Sequence, residues 1–191
     1  MKPYLIALGM MLFSINLSAN TPIAAAPEQV TPLLNGLTIP AVSLTNSEGQ
    51  TVALTELVKQ KPSVLVFYRG GWCPYCNAQL AALRKIEPNL TKLGYQLIAI
   101  TPDSVASINK SLLDTGGQKL NYTLLSDSQF AASSAFGLAY YLDDKTAAAY
   151  KGKLGSLITT EAGTEKVVLP VPAVYIVNTR GEALFSYVHI N

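Results

Sequence analysis

The spacing of apolar and polar residues changes several times along the chain, and each change predicts an element. Residues 41–54 (AVSLTNSEGQTVAL) hold two short alternating runs around Asn46-Ser47-Glu48-Gly49, the pattern of a β-hairpin. Residues 63–68 (SVLVFY) form an unbroken apolar run, which suits a central parallel strand covered on both faces. Leu80, Leu83, Ile86 or Glu87, Leu90 and Leu93 then recur at helical spacing, and Pro88 is expected to kink or split that helix. A second strand is predicted at 95–100 (YQLIAI). Asp103 or Ser104 can cap a helix carrying Val105, Ile108 and Leu112, which Gly116-Gly117 would end. A third strand follows at 122–125, and Asp127 can cap a short helix running to Phe136. Residues 138–169 are harder to place. AYYLDDKTAAAYKGKL reads as helical, and the rest reads as loop up to Leu169. The runs 173–177 and 183–188 flank Asn178-Thr179-Arg180-Gly181-Glu182 as a closing antiparallel hairpin. Alternating strands and helices argue for an α/β domain with a parallel centre and an antiparallel edge.

Residues 1–19 (MKPYLIALGMMLFSINLSA) differ from the rest. Lys2 is their only charge, and the apolar run from Leu5 to Leu17 is short for a bilayer span, which takes about 20 residues. That is the build of a secretory signal, with cleavage expected after Ala19; an uncleaved anchor is the alternative. The mature protein would then be periplasmic or secreted, with no stable membrane insertion. Residues 20–36 are rich in Ala, Pro and Thr and read as a flexible leader, leaving one domain over 37–191. Loss of Lys2 takes Lys+Arg from 14 to 13 against 12 acids, a net charge of +1. So small a charge excludes nucleic-acid binding by bulk electrostatics. Charged residues are 14% of the 191, well below the usual ~25%, so a solvated disordered chain is also excluded.

The chemistry concentrates in Cys73-Pro74-Tyr75-Cys76, just after the predicted central strand and at the start of the predicted helix. Proline suits the first helical position, where its missing N–H is not needed. Cys73 then falls at the N-cap, facing unpaired backbone N–H groups and the positive end of the helix dipole. Both favour the thiolate, which is the nucleophile. Cys76, one turn on, should be more buried and of higher pKa, placed to attack a mixed disulfide or sulfenic acid formed on Cys73. Other readings are half of a zinc site, a structural disulfide, or two unrelated thiols. Zinc lacks ligands, because the sequence has no second pair and only His189, so no metal is expected. A disulfide across three residues closes too short a loop to constrain the chain much. An exported location makes unpaired thiols the exception.

The stretch VLVFYRGGWCPYCNAQL (64–80) resembles the thioredoxin superfamily, and more narrowly the peroxiredoxin-like branch of the alkyl hydroperoxide reductase and thiol-specific antioxidant (AhpC/TSA) family. LIAITPDS (97–104), YTLLSDSQFAASSAFGL (122–138) and LPVPAVYIVNTRGEALFSYV (169–188) are similar to later parts of that family in the same order. The resemblance covers about residues 37–188. It implies a thioredoxin-like fold: a central mixed sheet flanked by helices, with an N-terminal β-hairpin and a helical insertion before the final hairpin. It implies a thiol-dependent oxidoreductase without cofactor, acting on a hydroperoxide or a disulfide and recharged by a thiol electron donor. A non-catalytic module retaining an oxidised CPYC is the reading from another class.

The resemblance also implies a cis bond between Val171 and Pro172. That bond would turn the Val171 backbone outward beside Cys73, where an extended substrate could pair with it. Trp72 is expected to shield the site, and Tyr75 to stand exposed toward a partner. Arg69 would favour the Cys73 thiolate if its side chain turns inward. Tyr140, Tyr141 and Tyr150 either line a cleft or pack a helix on the core, and His189 reads as surface. Two family features are missing. Peroxiredoxins carry Thr or Ser three residues before the reactive cysteine, where this chain has Gly70. Thioredoxins carry a buried acid on the strand before the motif, where this chain has Val66, Phe67 and Tyr68. The sequence stops at Asn191 where thioredoxin folds usually add a helix. Either the chain continues, or the insertion or another subunit covers that face, and an uncovered apolar face would favour a homodimer.

Overall fold

A computed structural model describes residues 22–114, 121–150, 152, 157–161 and 163–190. The proposed signal at 1–19 and the glycine pair 116–117 lie outside the described residues. Strands β1 (Ser43–Asn46) and β2 (Thr51–Ala53) form the expected hairpin. Its turn is held by the Asn46 side-chain oxygen, which accepts the N–H groups of Glu48 and Gln50 at 3.1 and 2.8 Å. Helix α1 (Leu54–Gln60) follows directly, burying Leu54 and Val58 one turn apart. The sequence pattern did not predict α1.

Strand β3 (Ser63–Phe67) is buried at every position, as its apolar run requires. Helix α2 (Pro74–Lys92), β4 (Gln96–Thr101), α3 (Val105–Asp114), β5 (Thr123–Ser126) and α4 (Ala131–Ala135) complete the βαβαβα unit. Strands β3, β4 and β5 are parallel, and β9 (Ala173–Val177) and β10 (Ala183–Val188) add the antiparallel edge. The sheet order is β10-β9-β3-β4-β5-β1-β2. One face packs Leu65, Phe67, Ile98, Ile100, Tyr175 and Phe136. The other packs Val64, Val66 and Leu97 with Leu80, Leu83 and Leu90 of α2.

Four expectations need correction. First, Pro88 does not break α2, which runs unbroken from Pro74 to Lys92. Pro88 is exposed in the last turns, where the proline removes one backbone hydrogen bond without splitting the helix. Second, the insertion is mainly strand. β6 (Ala139–Tyr141), β8 (Thr164–Pro170) and β7 (Ile158–Glu161) form a separate antiparallel sheet in the order β6-β8-β7, and among the described residues the insertion's α-helix is α5 (Asp144–Tyr150). Val168–Pro170 pairs with Ala139–Tyr141, and the apolar run from Val167 on is buried with them in a second core.

Third, the leader is not loose over its described part. Ala24 pairs with β6 through Ala24 N–H to Ala139 O (3.0 Å) and Tyr141 N–H to Ala24 O (2.9 Å). Leu33 N–H reaches Phe136 O, and Gly36 N–H reaches Ala183 O. Gly137, at φ +66°, lies so close to the Thr31 carbonyl that a side chain would collide with it. Fourth, the Val171–Pro172 bond is trans, and the described residues contain no cis peptide.

Candidate active site

The site forms where β3 ends and α2 begins. Cys73 is the N-cap of α2, in extended backbone conformation, with Pro74 at the first helical position. The turn before it is fixed from several sides. Cys73 N–H donates to Gly70 O (3.2 Å), Trp72 Nε1 donates to Arg69 O (3.0 Å), and Asn77 Nδ2 donates to Gly71 O (2.8 Å). Gly71 N–H donates to Asp103 Oδ2 at 2.7 Å. Asp103 also accepts from Thr101 Oγ1 at 2.9 Å. Ser104, not Asp103, caps α3, receiving Ser107 N–H at 3.2 Å.

Both cysteines are free thiols and both are buried, Cys73 9% and Cys76 5% exposed. Burial pushes the Cys76 thiol up to about 12, helped by its hydrogen bond to Cys73 and by the Cys73 charge. The Arg69 backbone N–H and guanidinium pull the other way. Cys76 therefore holds its proton at neutral pH and lends it to the Cys73 sulfur. Once Cys73 is oxidised and neutral, both influences exerted by that sulfur vanish, and Cys76 becomes easier to ionise.

Arg69 turns inward. Its Nε is buried, and its charge acts on Cys76 and on the Tyr140 phenol, which burial otherwise pushes up. Trp72 packs against both the α2-side cluster and the core of the insertion. Tyr150 of α5 lies on the indole at 5.7 Å between ring centroids. Tyr140 is buried, and Tyr141 sits beneath the Lys166 ammonium at 4.9 Å. The insertion thus supplies one wall of the site. Tyr75 is 88% exposed, as its place between the cysteines implied.

Val171 and Pro172 do not present a free strand edge. Val171 is fully buried and its N–H donates to Leu138 O at 2.9 Å, while Pro172 O accepts His189 N–H at 2.9 Å. The small sheet runs up to Pro170 and takes up the hydrogen bond that a docking strand would use. His189 is exposed and stacks on Tyr187.

Asp103 is the site residue that sequence reasoning missed in this role. It reads as a helix cap because it follows a strand and precedes a helical pattern, and nothing local shows that its carboxylate turns back to Gly71. Burial raises its pKa, against the Gly71 and Thr101 hydrogen bonds. It also accounts for Gly70. A Cβ there would lie 2.6 Å from Trp72 Nε1 and 2.8 Å from Asp103 Oδ1, on a backbone at φ +133°. The space where the resembled family holds a hydroxyl is filled by an indole and a carboxylate. Tyr68, beneath them, hydrogen-bonds Thr101 and has its pKa raised by burial and by Asp103.

The chain is similar to known proteins in both sequence and fold. The chain is 30% identical over 107 residues to a putative peroxiredoxin bcp of Haemophilus influenzae and 31% identical over 107 residues to peroxiredoxin Bcp of Escherichia coli K12. Each match takes in 56% of this chain and 66% of the relative, so the chain spans just under two thirds of these relatives' length. A chloroplastic peroxiredoxin Q of Suaeda salsa is 36% identical over 88 residues, 46% of this chain and 39% of that protein. Among solved structures, peroxidoxin BcpB of Mycobacterium tuberculosis superposes with TM-score 0.61 at 19% identity, covering 81% of this chain and 84% of that one. Reduced Prx3 of Vibrio vulnificus superposes with TM-score 0.62 at 16% identity, covering 82% and 87%. These likenesses show the thioredoxin-like peroxiredoxin fold. A family model matches residues 36–183, most of the chain, and the protein therefore belongs to the AhpC/TSA family.

Proposed function

We propose that this protein is a thiol peroxidase in which Cys73 attacks and Cys76 resolves. The Cys73 thiolate attacks the nearer peroxide oxygen, the O–O bond breaks, and the departing oxygen takes a proton to leave as alcohol or water. Cys73 becomes a sulfenic acid. Cys76 then gives up its proton and attacks that sulfur, expelling water and closing the disulfide. A thiol donor returns both electrons in two exchange steps. The observation that carries this reading is the burial of Cys73 at a helix start beside the Cys76 thiol. Cys73 is only 9% exposed and shares its cluster with Trp72, which also packs on the insertion core, and a thiol so covered admits a small hydroperoxide more readily than a protein disulfide.

A second reading, disulfide exchange, is favoured by Gly70, because no hydroxyl stands there to hold a peroxide. The experiment that separates them uses the fully reduced protein. Stoichiometric consumption of hydrogen peroxide or cumene hydroperoxide, with one disulfide formed per peroxide, supports the peroxidase. Insulin reduction with dithiothreitol and no peroxide consumption supports the exchange enzyme. Neither activity, with an oxidised CPYC, leaves a non-catalytic module.

Export belongs to the same proposal and rests on residues 1–19 as sequence. It would place Cys73–Cys76 in an oxidising compartment that needs a dedicated donor. Mass spectrometry of the mature N-terminus tests it, with Asn20 expected first.

A further inference from the structure

Beside the motif, α2 and α3 line a half-open cavity of about 390 Å³, within the range of small-molecule sites. It runs along one face of α2, where Asn77, Leu80, Ala81 and Arg84 recur at helical spacing. The seven steps of helix from Asn77 to Arg84 make this wall about 10 Å long. Tyr122, Ile108 and Leu124 supply an apolar body. The two ends differ in charge. At one end lies Arg84, whose guanidinium stands 5.9 Å from the centre of the Tyr122 ring. Its Nε is buried without a hydrogen-bond partner, and Arg84 is in neither of the ion pairs among the described residues. At the other end are Gly71 and the Asp103 carboxyl, already engaged by Gly71 N–H and Thr101.

A desolvated N–H with no acceptor is costly, and an unpaired arginine on an apolar cavity is completed by a planar anion that can take two of its donors. The acid at the opposite end disfavours a second negative charge there. We propose that this cavity binds a small apolar molecule bearing one carboxylate, with that carboxylate on Arg84 and the apolar body over Tyr122, pointing toward Gly71. No step of the peroxidase proposal uses Arg84 or Tyr122, so the site stands or falls independently of it. Its ligand would lie against Gly71 and Asn77, the residues that fix the turn before Cys73.

Titration calorimetry on the reduced full chain tests this with 4-phenylbutyrate and its neutral amide as probes. The acid is expected to bind at least about tenfold more tightly than the amide, and Arg84→Gln to erase that difference while leaving amide binding in place. Equal binding of acid and amide to the unaltered protein, no binding of either, or a preference that survives Arg84→Gln would overturn the proposal. The acid–amide comparison needs no variant, so a misfolded Arg84→Gln protein does not spare it.

Discussion

The two sheets were built on different terms. In the seven-stranded sheet, β3 is buried at all five positions and its neighbours cover it on both sides. In the three-stranded sheet, β8 begins exposed and is buried only over its last four residues. The first kind of strand announces itself by composition, while the second depends on a partner many residues away. The division also runs past the two cysteines: α2 carries them, and the small sheet with α5 packs on Trp72 beside them. Trp72 belongs to both cores and marks the seam.

The largest expected effect lies on the chemical side. Cys73→Ser should lower peroxide consumption by at least about a thousandfold, as loss of a nucleophile does. Cys76→Ser should retain a single-equivalent burst and lose turnover, seen by stopped flow. A Cys73→Ser protein that still turns over would remove the distinction between the two sulfurs.

Next comes the turn that joins strand to site. Gly70→Thr drives a side chain into Trp72 and Asp103 and should cost about 1–3 kcal/mol in urea unfolding, with no gain in peroxidase rate. A stable and faster Gly70→Thr enzyme would show that the loop tolerates the hydroxyl after all. On the access side, Tyr150→Ala removes the ring lying on Trp72. It should speed iodoacetamide alkylation of Cys73 a few-fold, in keeping with an aromatic contact worth about 0.5–1.5 kcal/mol. An unchanged rate would mean that the insertion does not guard the sulfur.

The smallest effect concerns Asp103. Its folded pKa lies above the ordinary 3.8, so the folded state holds its proton more tightly than the unfolded chain. The stability this contributes is full below 3.8 and is lost as pH rises through the folded value. The unfolding free energy of wild type minus that of Asp103→Asn should therefore grow on acidification from neutral pH. A difference that shrinks instead would mean that the Gly71 and Thr101 hydrogen bonds outweigh burial.

Much of the site was legible because its signals are local. Cys73 and Pro74 announce a helix start, and the run at 63–68 announces the strand before it. What sequence reading missed depends on distant partners. Ala-rich 144–150 favours helix by propensity, but Tyr140 and Leu169 pair as strand neighbours across 28 intervening residues, and no local pattern records that. Asp103 is polar next to a helix, so it looks like a cap until Gly71 arrives from another loop. The trans bond at Pro172 also departs from what the resemblance implied, and the Val171 N–H is taken by Leu138 O, a partner 33 positions away that no local pattern announces.

Residues 22–36 join Ala24 to β6, Leu33 to the end of α4 and Gly36 to β10. They lace the access side to the chemical side, as a tie rod joins two walls. Trimming the amino terminus past Ala24 would therefore loosen the small sheet at β6 and not merely the end of the chain.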